Sequence, residues 1–230
     1  MERHRQISSG VDLSFDHVIA PTTWKLLEDC NRSIVLDVGS GTGEFTAQLA
    51  KAAERVVAIE PAQASTVVAR SVCKTMTNVR FVEAPLEDAL DQLVDVRATM
   101  AVAVMSLMTA PDLRRVADAL YQVLRPGGRF AAVLTHPCFW PKYWGYNDAP
   151  WFNYETETFI EAPFAISKCA TEFVTTHIHR PLEQYTATFS DAGFQLERLL
   201  EPMPRDEVQA LYPERWAFPR FMGLRWARVA

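Results

Sequence analysis

Five segments of the chain, residues 33–38, 55–60, 79–83, 99–105 and 129–135, are continuous apolar runs rather than alternating ones. Strands buried on both faces have this pattern, so all five are predicted to be parallel strands in the middle of an α/β sheet. Between them apolar positions return at helical spacing, over 62–77 and over 111–124. The second of these opens with Pro111 in its first turn and stops before Pro126-Gly127-Gly128. Residues 15–29 read as an entry helix that covers the sheet. After Pro181 a further helix is predicted to about Asp191, stopping at Gly193, and 194–200 and 222–229 read as closing strands. Residues 154–161 and 172–179 alternate, which predicts two antiparallel strands joined around 163–168. With no repeat or low-complexity linker, residues 1–230 are read as one domain. Its parts are a ligand-binding core over 32–135, an insertion over 136–180 and a closing helix and strands over 181–230.

The first strand runs into Asp37-Val38-Gly39-Ser40-Gly41-Thr42-Gly43-Glu44, a glycine turn that opens a helix. Glycines at 39, 41 and 43 permit positive φ and let a ligand lie against main chain. A dinucleotide turn, G-x-G-x-x-G counted from Gly39, needs its third glycine at 44, where Glu44 stands. An NAD-dependent oxidoreductase is therefore only an alternative. Asp37 can accept hydrogen bonds from an ammonium group or a water, which suits a cationic amino-acid ligand.

Composition narrows the class. A chain of 230 residues with 49% hydrophobic composition can bury a full core as one α/β unit. A formal charge of −5 without a basic block argues against nucleic acid. The longest apolar run, around 98–110, is too short to span a bilayer, and the polar start is followed by no apolar signal core. Cys30, Cys73, Cys138 and Cys169 form no C-x-x-C pair, so the chain is expected to be reduced, free of disulfides and cytoplasmic.

Leu36-Asp37-Val38-Gly39-Ser40-Gly41-Thr42-Gly43 resembles the first motif of the class I S-adenosylmethionine (SAM)-dependent methyltransferases, and the likeness continues along the chain. Val56-Val57-Ala58-Ile59-Glu60 resembles the second strand with its acid, Val79-Arg80-Phe81-Val82-Glu83 the third, and Leu124-Arg125-Pro126-Gly127-Gly128-Arg129-Phe130 the turn into the fifth. The resemblance implies a Rossmann-like sandwich around a seven-stranded, mostly parallel sheet with an antiparallel C-terminal edge. The insertion after strand 5 would be an aromatic β-hairpin cap. The resemblance further implies SAM as donor and S-adenosylhomocysteine (SAH) as product. Gly39, Gly41 and Gly43 would form the donor turn, Asp37 would face the methionine portion, and Glu60 would take the ribose hydroxyls. The entry helix would close over the donor, and Met105 with Ser106 would adjoin the sulfonium. Proline stands at 85 where the family often has an adenine-binding aspartate, so Pro85 and Leu86 would sandwich the ring by apolar packing.

Between 139 and 154 lie Phe139, Trp140, Tyr143, Trp144, Tyr146, Trp151, Phe152 and Tyr154, at the sheet edge where open α/β folds bind ligands. Trp140, Tyr143, Trp144 and Tyr146 are read as walls for a flat apolar acceptor or an amine. The same rings would serve equally as a lid core or a homodimer contact. His136, just after the fifth strand, is the first candidate general base, or else fixes its turn through a main-chain hydrogen bond. His177 and His179 share a strand face and come next. No acidic constellation accompanies these histidines, so a metal-free reaction is expected. Together these readings point to methylation of a small, aromatic or apolar acceptor, at oxygen first and nitrogen second, by in-line displacement. A peptide or protein acceptor is the alternative within the same chemistry.

Overall fold

The computed structural model describes residues 4, 5, 7, 9, 10, 12–166 and 169–229. Strands β1 (Ile34–Val38), β2 (Arg55–Ile59), β3 (Val79–Val82), β4 (Ala98–Val104) and β5 (Leu124–Thr135) pair in parallel. β6 (Thr158–Ile166) and β7 (Cys169–His179) form a separate antiparallel pair; β9 (Phe221–Arg228) pairs antiparallel with β5, and β8 (Phe194–Leu200) closes the main sheet antiparallel to β9. The seven-stranded order is β3-β2-β1-β4-β5-β9-β8. The expected Rossmann-like sheet with an antiparallel C-terminal edge is present.

The continuous apolar runs have a simple cause. Along each central strand, alternate side chains enter two different cores. Leu36, Val57, Ala101, Ala103, Phe130 and Ala132 face one cluster, while Val35, Val56, Met100, Val102, Ala131 and Val133 face the other. Two helices, α4 (Leu113–Val123) and α6 (Leu182–Asp191), cover the first face, where Phe189 and Phe130 stack on Trp226. α1 (Ala20–Leu26) and α2 (Glu44–Ala52) cover the second, together with Val208, Tyr212 and Trp216. α3 (Gln63–Val72) precedes β3, and the short α5 (Trp140–Tyr143) and α7 (Asp206–Gln209) lie in the connections after β5 and β8. α4 is capped by the Asp112 side chain, which accepts from the Arg115 amide at 3.0 Å. α6 stops before Gly193, at φ 90°.

Three expectations are corrected. The entry helix expected over 15–29 is present but shorter, a π-helix over Phe15–Ile19 that runs directly into α1 and ends at Leu26. The helix expected over 62–77 ends at Val72, because the chain from Cys73 folds into a turn, with the Met76 amide donating to the Cys73 carbonyl. The hairpin strands are shifted. Asn153 accepts the amides of Glu155 and Thr156 in a turn, so pairing starts at Thr158, not 154, and it runs on to Ile166 and Cys169. The two residues joining the strands, 167 and 168, lie outside the described residues. Among the described residues no helix is long and apolar enough to cross a membrane.

Candidate functional site

The chain leaves β1 at Val38 and turns through the three glycines into α2, with φ of 71° at Gly39, 54° at Gly41 and 88° at Gly43. Two of them are also sterically required. A Cβ on Gly39 would stand 2.3 Å from the Ser106 Cβ, and one on Gly43 would stand 2.9 Å from the Ala69 backbone. At Gly41 a Cβ would meet nothing within 4 Å, so there the left-handed backbone alone is the constraint.

The turn forms one wall of a cavity of about 280 Å³, near the lower end of the ~300–1,000 Å³ common for small-ligand sites. Asp37, Gly39, Gly41, Glu60, Met105 and Ser106 line it, and Ile7 and Phe15 reach it from the N-terminal segment. Glu60 is held between the turn and the next helix, its Oε2 accepting from the Gly41 amide and its Oε1 from the Ala62 amide, both at 2.9 Å. Asp37 is buried and accepts a 2.6 Å bond from the Thr46 hydroxyl. Burial pushes its pKa up to about 7; the Thr46 bond opposes the shift and the Glu60 charge adds to it. The Ser40 hydroxyl oxygen is buried without a protein partner beside this cavity. Met105 has φ 56°, the one left-handed non-glycine among the described residues; its amide donates to the Val133 carbonyl at 2.7 Å, and the adjacent Ser106 hydroxyl donates to the Val38 carbonyl at 2.5 Å. Such a backbone costs roughly 1–3 kcal/mol and is held here by the two bonds that bring β1, β4 and β5 together.

Two residues expected at the adenine end do not line this cavity. Leu86 begins a 3₁₀ turn and fills the first core, and neither it nor Pro85 lines the cavity. A short turn after β3 points its apolar side chain inward, which sequence alone does not distinguish from packing against a ligand. Thr46 is not legible in the sequence, because a threonine one helical turn after Gly43 carries no motif signal.

The aromatic insertion packs largely on itself. His177 is buried, with its Nε2 3.2 Å from the Tyr146 hydroxyl and the Trp144 ring edge-on at 5.1 Å. His179 donates from Nε2 to the Tyr154 carbonyl at 2.9 Å, with Phe152 at 4.8 Å. Burial pushes the His177 pKa down to about 4 and that of His179 down as well, so both are neutral at neutral pH. Tyr146 is therefore a core residue rather than an open wall. Tyr146→Phe, which leaves His177 Nε2 unpartnered, is expected to lower unfolding free energy by about 1–3 kcal/mol in a urea titration. Wild-type stability in that variant would show the bond to be unimportant.

His136 has both ring nitrogens engaged. Nδ1 accepts from the Cys138 amide at 3.2 Å, so Nε2 carries the proton and donates to Glu201 at 2.8 Å. Its own amide donates to the Arg220 carbonyl at 2.9 Å. Burial lowers its pKa against the opposing Glu201 bond. The histidine thus pins the turn after β5 to both ends of the connection between β8 and β9. Trp140 and Tyr143, on α5, lie 5.1 Å apart between ring centres, and Trp140 packs 5.7 Å from Phe221. No cluster of three metal-ligating His, Cys, Asp or Glu side chains occurs among the described residues.

Residues 35–128 match the family model for a methyltransferase domain. An O-methyltransferase, cnsE, from Penicillium expansum is 37% identical over 109 residues, a stretch that makes up 45% of this chain and 40% of that protein. The chain thus spans less than half the length of this curated relative. A solved structure from Listeria monocytogenes, assigned to the SAM-dependent methyltransferases, superposes with a TM-score of 0.72 at 22% identity, over 92% of this chain and 98% of the other. The 1,6-didemethyltoxoflavin-N1-methyltransferase of Burkholderia thailandensis, solved with its acceptor and SAH, gives 0.63 at 17% identity, over 100% and 86%.

Proposed function

From a chain whose residues 35–128 match the family model for a methyltransferase domain, we infer that it is a class I SAM-dependent methyltransferase that transfers the methyl group of SAM to a small acceptor, aromatic or apolar in its main body, with oxygen the favoured acceptor atom. One observation carries the donor half of this reading: the glycine turn, the fixed Glu60 carboxylate and the buried Asp37 converge on a single cavity at the carboxyl ends of β1, β2 and β4. The unpartnered Ser40 hydroxyl beside this cavity is a further mark of a site built for a ligand. SAM supplies an electrophilic methyl on a sulfonium. The chain's own residues do the rest. Glu60 presents acceptor oxygens to a diol, Asp37 stands ready for an ammonium, and Met105 places a soft thioether at the end of β4. The O-methyltransferase relative supports oxygen over nitrogen as the acceptor atom.

With both nitrogens of His136 bonded and His177 and His179 enclosed by aromatic rings, the three histidines act as positioning residues. Alignment of acceptor and donor is then the main source of rate, for which well-oriented groups supply roughly 7–11 kcal/mol. Removing the His136 ring should cost about 1–3 kcal/mol of stability in the His136→Ala variant, while the folded fraction keeps the wild-type pH–rate profile. Loss of the acidic limb together with at least a ~10²-fold fall in kcat would instead make His136 the base.

Calorimetry with SAM, SAH and NAD tests the donor assignment. SAM and SAH should bind in the low-micromolar range, about −8 kcal/mol, and NAD should not. Glu60→Ala should weaken SAH by roughly 1.5–3 kcal/mol through loss of charge-assisted bonds. Preferential binding of NAD would overturn the reading. The acceptor is then found by a mass-spectrometric screen for a one-methyl gain.

A further inference from the structure

Three arginines are buried among the described residues: Arg180, Arg220 and Arg225. Two of them are neutralised. Arg180 meets Glu157 at 2.7 Å, and Arg225 meets Glu197 at 2.8 Å and also Asp29. Arg220, 8% exposed, has no carboxylate in ion-pair contact among the described residues, and Glu214 acts on it only from a distance. Its guanidinium instead sits among rings, with its central carbon 3.9 Å from the centre of Tyr143, 4.3 Å from Trp216 and 5.8 Å from Tyr212. Burial lowers its pKa, which means the surroundings do not fully replace the water it has lost. Cation–π contact and a hydrogen bond with the Tyr143 side chain stabilise the charge, but neither supplies an anion to balance it. A buried charge short of a partner is costly, and an arginine fork matches a carboxylate in geometry as well as in sign.

The position is as informative as the charge. Arg220 directly precedes β9, whose first residue pairs with Thr135 at the end of β5, and its carbonyl takes the His136 amide. It therefore stands at the carboxyl edge of the sheet. Its cage joins α5 to the connection between β8 and β9, and Tyr212 in turn touches Ser14, next to the cavity-lining Phe15. Lys142 on the same short helix adds a second cation, over Phe218 at 5.4 Å.

Resting on the acceptor reading above, we propose that Arg220 is the recognition residue for the acceptor and that this acceptor carries a carboxylate, held by the guanidinium edge within the Tyr143–Trp216 cage. The aromatic surroundings then fit the body of the acceptor and the arginine fits its acid.

The test uses the full chain saturated with SAH, titrated calorimetrically with matched aromatic acids and primary amides: benzoate with benzamide, cinnamate with cinnamamide. The acids should bind at least about 10-fold more tightly than the amides; Arg220→Gln should erase that difference and Arg220→Lys should keep part of it. Amides that bind as well as acids, acids that do not bind, or an acid preference that survives in Arg220→Gln would each overturn the proposal. If Arg220→Gln does not fold, the wild-type acid–amide comparison still decides it. Failure of wild-type protein to bind SAH would refute the methyltransferase reading instead, and the acid preference would then be measured on the donor-free protein.

Discussion

Gly39→Ala is expected to abolish measurable SAH binding and to lower stability by on the order of 3 kcal/mol. Two effects act at one atom. The residue's φ of 71° is a conformation in which a Cβ is strained by roughly 1–2 kcal/mol. That Cβ would also lie 2.3 Å from the Ser106 Cβ, a contact that neither side chain can relieve by rotation. Ser106 is itself fixed, because its hydroxyl donates to the Val38 carbonyl and it follows the left-handed Met105. Forcing β1 and β4 apart at this point would displace both Asp37 and Met105 from the cavity, and overpacking of this kind adds about 1–3 kcal/mol. Gly41→Ala, which meets no atom within 4 Å, should cost only the backbone strain. Thermal unfolding and calorimetry on both variants check the contrast; equal behaviour of the two would show that the approach to Ser106 is not the constraint.

The second large effect is a pH dependence centred on Asp37. Its pKa is about 7 in the folded protein against an ordinary value of 3.8, so the folded state holds this proton more tightly than the unfolded state. Stability from this group is therefore complete below about pH 4 and is lost as pH rises to about 7, by roughly 4 kcal/mol in all. His177 has the opposite sign. Its pKa falls from 6.5 to about 4 on folding, so its contribution is lost as pH falls between those values. The two slopes largely cancel in the wild type, and Asp37→Asn separates them. The stability difference between wild type and Asp37→Asn, followed by urea titration from pH 4 to 8, should shift by several kcal/mol in favour of the variant as pH rises and should level off above 7. A flat difference would mean that Asp37 is ionised throughout. If Asp37 faces the donor's ammonium, SAM binding should also release a proton near pH 6, seen as a dependence of binding heat on the buffer's ionisation enthalpy.

Legibility in the sequence followed the length scale of each interaction. Strand and helix positions rest on local periodicity, so α6 and β8 fall where the pattern put them, at Leu182–Asp191 and Phe194–Leu200. The hairpin register is harder to read, because the Asn153 turn competes with pairing. Pro85 and Leu86 illustrate a related ambiguity. An apolar residue after a strand packs equally well on a ligand or on a core, and only the neighbouring helices decide which.

By itself the sequence determined the parallel sheet, the glycine turn, and the acids at 37 and 60, because continuous apolar runs and glycine spacing are properties of adjacent residues. The tertiary structure alone decided what the aromatic and charged side chains of the insertion and C-terminal segment do. Tyr146 and His177 are 31 residues apart in the chain, and His136 and Glu201 are 65 apart. The pairing of two buried arginines with carboxylates and the enclosure of a third by aromatic rings depend on which segments fold against one another. Burial turns those long-range contacts into altered pKa values and unpaired charge, and burial is a property of the packed molecule rather than of any stretch of its sequence.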